Sequence, residues 1–173
     1  MTIVKSEVIR KLMDAKKFLL DGYIDEGVKI VLQIVNSSPK SDYNWFICNI
    51  IESIDCKYMF QILDKIGSYF DLDKCQNLKS VVQCGIENNT LNDHVSKALD
   101  LLVSQGKRDK LEEISKEILN KDQVSPALLI ALANALRKVG DERDATNLLL
   151  EACKKGDKEA CNSVNAITVR SVM

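Results

Sequence analysis

The chain has 173 residues, 46% of them apolar and 28% charged, a balance that excludes a disordered segment and fits one folded domain. Its formal net charge is −1, with no basic half and no run of one sign, which argues against nucleic acid as a partner. Seven glycines and two prolines are too few for a sheet-rich fold, so helices joined by short loops are expected.

Apolar residues recur at three- and four-residue steps nearly throughout, the period of a helix. The first helix is predicted over Ser6 to Asp21, with Val8, Leu12, Ala15 and Leu19 on one stripe, Ser6 as N-cap and Gly22 just past the end. A second, Asp25 to Asn36, is apolar almost all round and is expected inside the stack; Ser37, Ser38 and Pro39 end it. The third, Asp42 to Ile54, carries the stripe Tyr43, Phe46, Ile47, Ile50, Ile51 and Ile54. Asp55 caps the fourth, which runs to Phe70 with Met59, Leu63 and Ile66 inward. A fifth is predicted over Leu72 to Glu87, using Cys75, Leu78, Val82 and Ile86.

After the polar turn Asn88, Asn89, Thr90, helices follow at 92–105, 109–120, 126–139 and 142–155. A shorter one covers Asp157 to Ile167, with Thr168 to Met173 expected to fray. Loops this short stack consecutive helices as antiparallel neighbours. No linker stands out, so residues 1–173 read as a single helical-repeat domain.

The longest uncharged stretch, QVSPALLIALANAL, has 14 residues against the ~20 a membrane span needs, and reads as a buried helix. The start, MTIVKSEVIRKLMDAKK, lacks the apolar core of a secretory signal, so a cytoplasmic protein without membrane association is expected. In that setting the six cysteines are expected to be reduced. Cys75 and Cys84 on one helix would lie ~13 Å apart along its axis and could not bridge. Cys153 and Cys161 flank a turn at Gly156 and could meet. There is no CxxC pair, and the one histidine, His94, has no neighbouring cysteine, so no metal site is expected.

The strongest signal is internal repetition. Gly106 and Gly140 lie 34 residues apart, preceded by Val95, Leu99 and Leu102 in one unit and Leu129, Ala133 and Leu136 at the same offsets in the other. Leu111 and Ile118 after the first glycine match Ala145 and Ala152 after the second. The stretch LLIALANALRKVGDERDATNLLLEACKKGD resembles a tetratricopeptide repeat. Leu129, Leu132, Ala133 and Leu136 fit that family's first helix, Gly140 and Asp141 its turn, and Ala145, Leu149 and Ala152 its second helix. ATNLLLEACKKGDKEAC also resembles the related Sel1-like repeat. At the N-terminus, Ala15, Phe18, Gly22, Gly27, Val31, Ile34 and Pro39 fall at the family's spacings, while Lys11 and Asp14 depart from it.

The resemblance implies an all-α, right-handed α–α superhelix of about nine to ten antiparallel helices. Its parts would be a tetratricopeptide-like pair at 6–39, an irregular three-helix segment at 41–89, repeats at 92–125 and 126–159, and a capping helix at 157–167. The chain is also similar to uncharacterised archaeal proteins of the α–α superhelix class, a likeness that implies a fold and no function.

Catalytic chemistry finds little to use. A nucleophilic triad would need His94, which reads as an exposed surface residue at a helix start. The carboxylate pairs Asp25–Glu26, Glu112–Glu113 and Asp141–Glu142 sit in turns or on polar faces, and no phosphate-cradling glycine loop is present. No catalytic residue and no cofactor is expected, and the chain reads as a non-enzyme.

One face suggests binding. On a helical wheel Ile130, Asn134, Arg137 and Lys138 fall opposite the core stripe of their helix, as Lys97 and Asp100 do in the unit before. The resemblance implies that this face lines a concave groove, with Asn134 at a position that contacts a peptide backbone or terminal carboxylate. The expected partner is a protein or peptide of unknown identity. The alternatives are an ordinary solvated face, or a structural subunit that self-associates into a homo-oligomer through apolar residues such as Ile130, Val103 or Trp45.

Overall fold

A computed structural model describes the backbone over residues 2–172 and the side chains over residues 6–167. Among the described residues there are ten α-helices and no strand: α1 (Thr2–Leu20), α2 (Ile24–Ser37), α3 (Lys40–Ser53), α4 (Cys56–Ile66), α5 (Lys79–Glu87), α6 (Asp93–Ser104), α7 (Arg108–Leu119), α8 (Pro126–Lys138), α9 (Glu142–Lys154) and α10 (Lys158–Val172). None is long and apolar enough to cross a membrane.

The stops of α1, α6, α8 and α9 follow one chemistry. At Gly106 and Gly140 the backbone turns left-handed (φ 67° and 87°), a conformation glycine adopts without steric cost. The next N–H then reaches back along the helix, Lys107 to the Leu102 carbonyl and Asp141 to the Leu136 carbonyl, each at 2.9 Å. This is the paired closure that satisfies a helix's last carbonyls, and Gly22 and Gly156 repeat it. Several starts are capped by side chains: Asp55 accepts from the Lys57 N–H, Asn92 from Val95, and Ser125 from Leu128 ahead of Pro126 at the first helical position.

The chain divides into two compact units, one up to Cys84 and one from Gly85. In the first, α1 packs on α2 and α3, and α2 on α4. Leu12, Leu19, Ile47, Ile50, Met59 and Ile62 are fully buried there. Each such side chain contributes about 2 kcal/mol relative to exposure. Gly27 marks the closest approach of α1 and α2, because a Cβ there would stand 2.5 Å from Leu19 Cγ and 3.1 Å from the Ala15 carbonyl oxygen. α2 is more one-sided than its sequence suggests: Ile24, Val28, Val31 and Ile34 are buried, while Ile30, Leu32 and Val35 are half-buried.

Four expectations need correction. α1 already begins at Thr2, so Ser6 lies within the helix and does not cap it; Thr2 to Lys5 contain no residue that would stop a helix earlier. α10 continues to Val172, beyond the point at Ile167 where fraying was expected; Met173 lies outside the described residues.

The larger corrections concern the segment after α4. Residues 72–87 do not form one helix: a 3-10 turn at Leu72–Lys74 gives way to extended backbone at Cys75, and α5 starts only at Lys79. Two side chains of α3 hold this segment instead, one at its entry and one just before α5. The Asp71 N–H donates to Asn44 Oδ1 at 2.6 Å, and the Asn77 N–H donates to Glu52 Oε1 at 3.1 Å.

The cysteines are not reduced either. With the helix broken, Cys75 comes to 5.2 Å (Cα–Cα) from Cys48 and Cys84 to 4.9 Å from Cys56, and both pairs are bridged. A third bridge joins Cys153 and Cys161 across the Gly156 turn, the pair whose spacing left that open, and no cysteine is free.

In the second unit α6 packs on α7 and α8, α7 on α8 and α9, and α9 on α8 and α10. Val95, Ala98, Leu102, Leu111, Ile114, Leu129, Ala133, Leu136, Ala145 and Ala152 close this core. Ala98, Ala133, Ala145 and Ala152 are fully buried, and such small side chains let neighbouring axes approach closely. Asn89, at φ 51°, accepts from the Ser125 N–H at 2.8 Å, which ties the turn before α6 to the start of α8.

Candidate peptide-binding groove

α6 and α8 lie side by side and leave a groove of about 180 Å³ between them. Its apolar lining is Leu99 and Val103 from α6 with Ala131 and Ala135 from α8. Two alanines on α8 keep that wall low, so the hollow stays open where leucines would fill it. Ser96, Asp100, Asn134 and Lys138 stand on its edges, all exposed. Asp100, Asn134 and Lys138 make no side-chain hydrogen bond or ion pair among the described residues.

Of the six residues singled out in the sequence, three line this groove: Asp100, Asn134 and Lys138. Lys97 is exposed on α6 outside it. Ile130 is half-buried and Arg137 is turned toward the α8–α9 turn, where its Nε lies 3.6 Å from Glu142 Oε2. The helical wheel centred the face on Ile130 and Asn134. Packing of α6 against α8 rotates the open side toward Ala131 and Ala135, so Val103 and Ala135 enter instead.

A second cluster was visible in the sequence only as separate acidic pairs. Glu112 of α7 meets Asp141 and Asp144 at the start of α9, their carboxylate oxygens within 4.8 Å of one another. Asp141 is buried and accepts from the Asp144 N–H at 3.0 Å, capping α9. Burial pushes its carboxyl up, but hydrogen bonds from the Asp144 backbone and with the Asp144 and Glu112 side chains, together with the Arg108 charge, hold it below the usual range. Burial raises the Asp144 carboxyl, and its hydrogen bond with Asp141 and the neighbouring negative charges raise it further. Arg108 donates to Glu112 at 2.8 Å and supplies the compensating charge. Three such oxygens suit a hard cation by donor type; here Asp141 caps α9 and Glu112 accepts from Arg108. Asp141→Ala should therefore cost about 1–2 kcal/mol, read as a lower midpoint in urea unfolding.

In the first unit, a hollow of about 230 Å³ lies beside the Cys48–Cys75 bridge, lined by Trp45, Asn49, Glu52, Lys74 and Gln76. Two of its polar groups are engaged: Asn49 accepts from Lys16 Nζ at 2.7 Å and Glu52 accepts from the Asn77 N–H. Trp45 is 53% exposed with its ring edge-on to Phe46. His94, expected to be exposed, is half-buried in the first turn of α6.

Comparison with known proteins places the chain in a family. Residues 7–167 match the model of a family described as Domain of unknown function (DUF1955), and the chain belongs to that family. A solved structure of a hypothetical protein from the hyperthermophilic archaeon Sulfolobus tokodaii is 79% identical, covering 92% of this chain and 99% of that one, with a TM-score of 0.89. No curated protein matches the chain.

Proposed function

We propose that this member of the family is a non-enzymatic interaction module of the tetratricopeptide-like class, which takes an extended peptide or partner helix in the α6–α8 groove. The observation that carries this reading is the Asn134 amide, exposed and without a partner among the described residues, set between Asp100 and Lys138 over an apolar floor. An asparagine amide both donates and accepts, so it can pair with a peptide main chain whatever its sequence. Asp100 and Lys138 would then select for charge and the apolar floor for a side chain.

Size separates a peptide groove from a substrate pocket. Small-molecule sites enclose roughly 300–1,000 Å³, whereas this groove holds about 180 Å³ and is open, enough for one or two anchoring side chains. The repeat reading is supported by packing order, in which α6 meets α8 and α7 meets both α8 and α9, with the same glycine closure 34 residues apart. A right-handed superhelical stack of repeats would place α6 and α8 along one concave face. A cytoplasmic location is compatible with three bridges, because intracellular proteins of hyperthermophilic archaea are disulfide-rich and the similar solved structure comes from such an organism.

The test is selection of peptides from a displayed random library on the intact chain, followed by fluorescence anisotropy. Peptides binding in the micromolar range are expected, with Asn134→Ala weakening them at least about tenfold, the cost of a lost charge-assisted or paired hydrogen bond. Lys138→Glu should turn a preference for acidic peptides into one for basic peptides. Selected peptides indifferent to both changes would remove the groove as the site.

A further inference from the structure

The outward face of α1 carries a pattern the groove does not explain. Arg10, Asp14, Lys17 and Asp21 follow one another at steps of four, three and four residues, so they form one stripe along the helix. Their signs alternate: plus, minus, plus, minus. All four are exposed, and none makes a side-chain hydrogen bond or ion pair among the described residues. Large apolar side chains flank the stripe, with Met13 (59% exposed) and Leu20 (42%) on one side and Phe18 (39%) on the other. Asp14, Lys17 and Asp21 of the stripe, with Phe18, Tyr23 (58% exposed) and Ile30, line a shallow hollow of about 400 Å³. The burial of Val8, Leu12, Ala15 and Leu19 satisfies the opposite face of the helix, so packing within the chain does not account for this one.

We infer that α1 is a homodimer surface, occupied by α1 of a second copy lying antiparallel across it. Charge complementarity selects that occupant. An alternating stripe read in reverse becomes its own complement, so a two-fold axis passing between Ala15 and Lys16 sets Arg10 opposite Asp21 of the second copy and Asp14 opposite Lys17. Four ion pairs form and no like charges meet. A parallel arrangement would set every charge against itself. The same axis brings Met13 of one copy close to Leu20 of the other on one side of the stripe, and the two Phe18 rings to the same side on the other. A wholly acidic or wholly basic partner would match only half of the stripe. The surface is small beside the roughly 20–30 residues a side of a tight interface, which sets the expected dissociation constant on the order of micromolar.

Sedimentation equilibrium over a concentration series tests this. The unaltered chain should reach twice the monomer mass. Lys17→Glu, which sets a carboxylate against Asp14 of the second copy, should weaken the dimer at least about tenfold. The double exchange Asp14→Lys/Lys17→Glu should restore it, because the opposed charges are again unlike. Arg10→Asp/Asp21→Arg supplies an independent exchange with the same expectation, its parent being Asp21→Arg alone. Circular dichroism and the unfolding midpoint of each variant, measured well below the dissociation constant where every chain is monomeric, should equal those of the original, since all four positions are exposed. A chain that stays monomeric up to about 1 mM would overturn the inference. So would a dimer indifferent to Lys17→Glu, or two folded double exchanges that both fail to restore it.

Discussion

Replacing Cys48 and Cys75 together by serine should lower the thermal midpoint by about 6–12 °C. The bridge closes a loop of sequence separation 27, and removing that constraint from the unfolded chain costs about 3 kcal/mol. For a domain of this size each kilocalorie corresponds to roughly 2–4 °C. Cys56–Cys84, with separation 28, should behave alike when removed alone. The two loops overlap in sequence, so removing both should cost less than the sum. Cys153–Cys161, with a separation of only 8, should give the smallest shift, about 2 kcal/mol. Differential scanning calorimetry of the paired serine variants, beside the intact chain with and without reductant, reads all of these. An unchanged midpoint in the Cys48→Ser/Cys75→Ser variant would mean that the backbone turn at Cys75 is held by hydrogen bonds and packing alone.

Gly27→Val should destabilise the first unit by about 3 kcal/mol, at the upper end of the usual cost of overpacking. A Cβ at this position already meets Leu19 Cγ at 2.5 Å and the Ala15 carbonyl oxygen at 3.1 Å. Leu19 is fully buried and the Ala15 oxygen belongs to the backbone, so neither can yield without moving α1 from α2. Two further methyls would enlarge the shift. Gly67→Val is the control, since a Cβ there meets nothing within 4 Å. Urea unfolding of the two variants should separate them by at least about 2 kcal/mol.

The helical architecture was legible because its determinants are local. Glycines at 22, 106, 140 and 156 turn left-handed where the sequence placed helix stops, and the three-and-four spacing of apolar residues marked the buried stripes. The segment after α4 was not legible for the opposite reason. Leu72, Cys75, Leu78, Val82 and Ile86 have helical spacing, yet Asn44 and Glu52, more than 20 residues earlier, capture the N–H groups of Asp71 and Asn77. A side chain that breaks a distant helix leaves no periodic trace. The cysteines failed for a second reason: their expected reduced state rested on a general redox rule for compartments, and the Cys48–Cys75 and Cys56–Cys84 pairs depend on the break after α4, which periodicity did not show.

The groove was legible in part. Asp100, Asn134 and Lys138 were singled out by their position opposite a core stripe, and they line it. A wheel gives the outward side of one helix but not its rotation against a neighbour. That rotation brings Val103 and Ala135 to the groove and leaves Arg137 beside Glu142. The carboxylates of Glu112, Asp141 and Asp144 come from two helices and converge only in three dimensions.

Ligand entry between α6 and α8 is tested most directly by amide chemical-shift mapping of the labelled chain on titration with a selected peptide. Shifts should centre on Ser96, Asp100, Ala131, Asn134 and Lys138, which line the groove, with the amides of α7 and α9 little changed. Shifts centred on α7 and α9, or on α1, with the α6 and α8 amides unmoved, would contradict it.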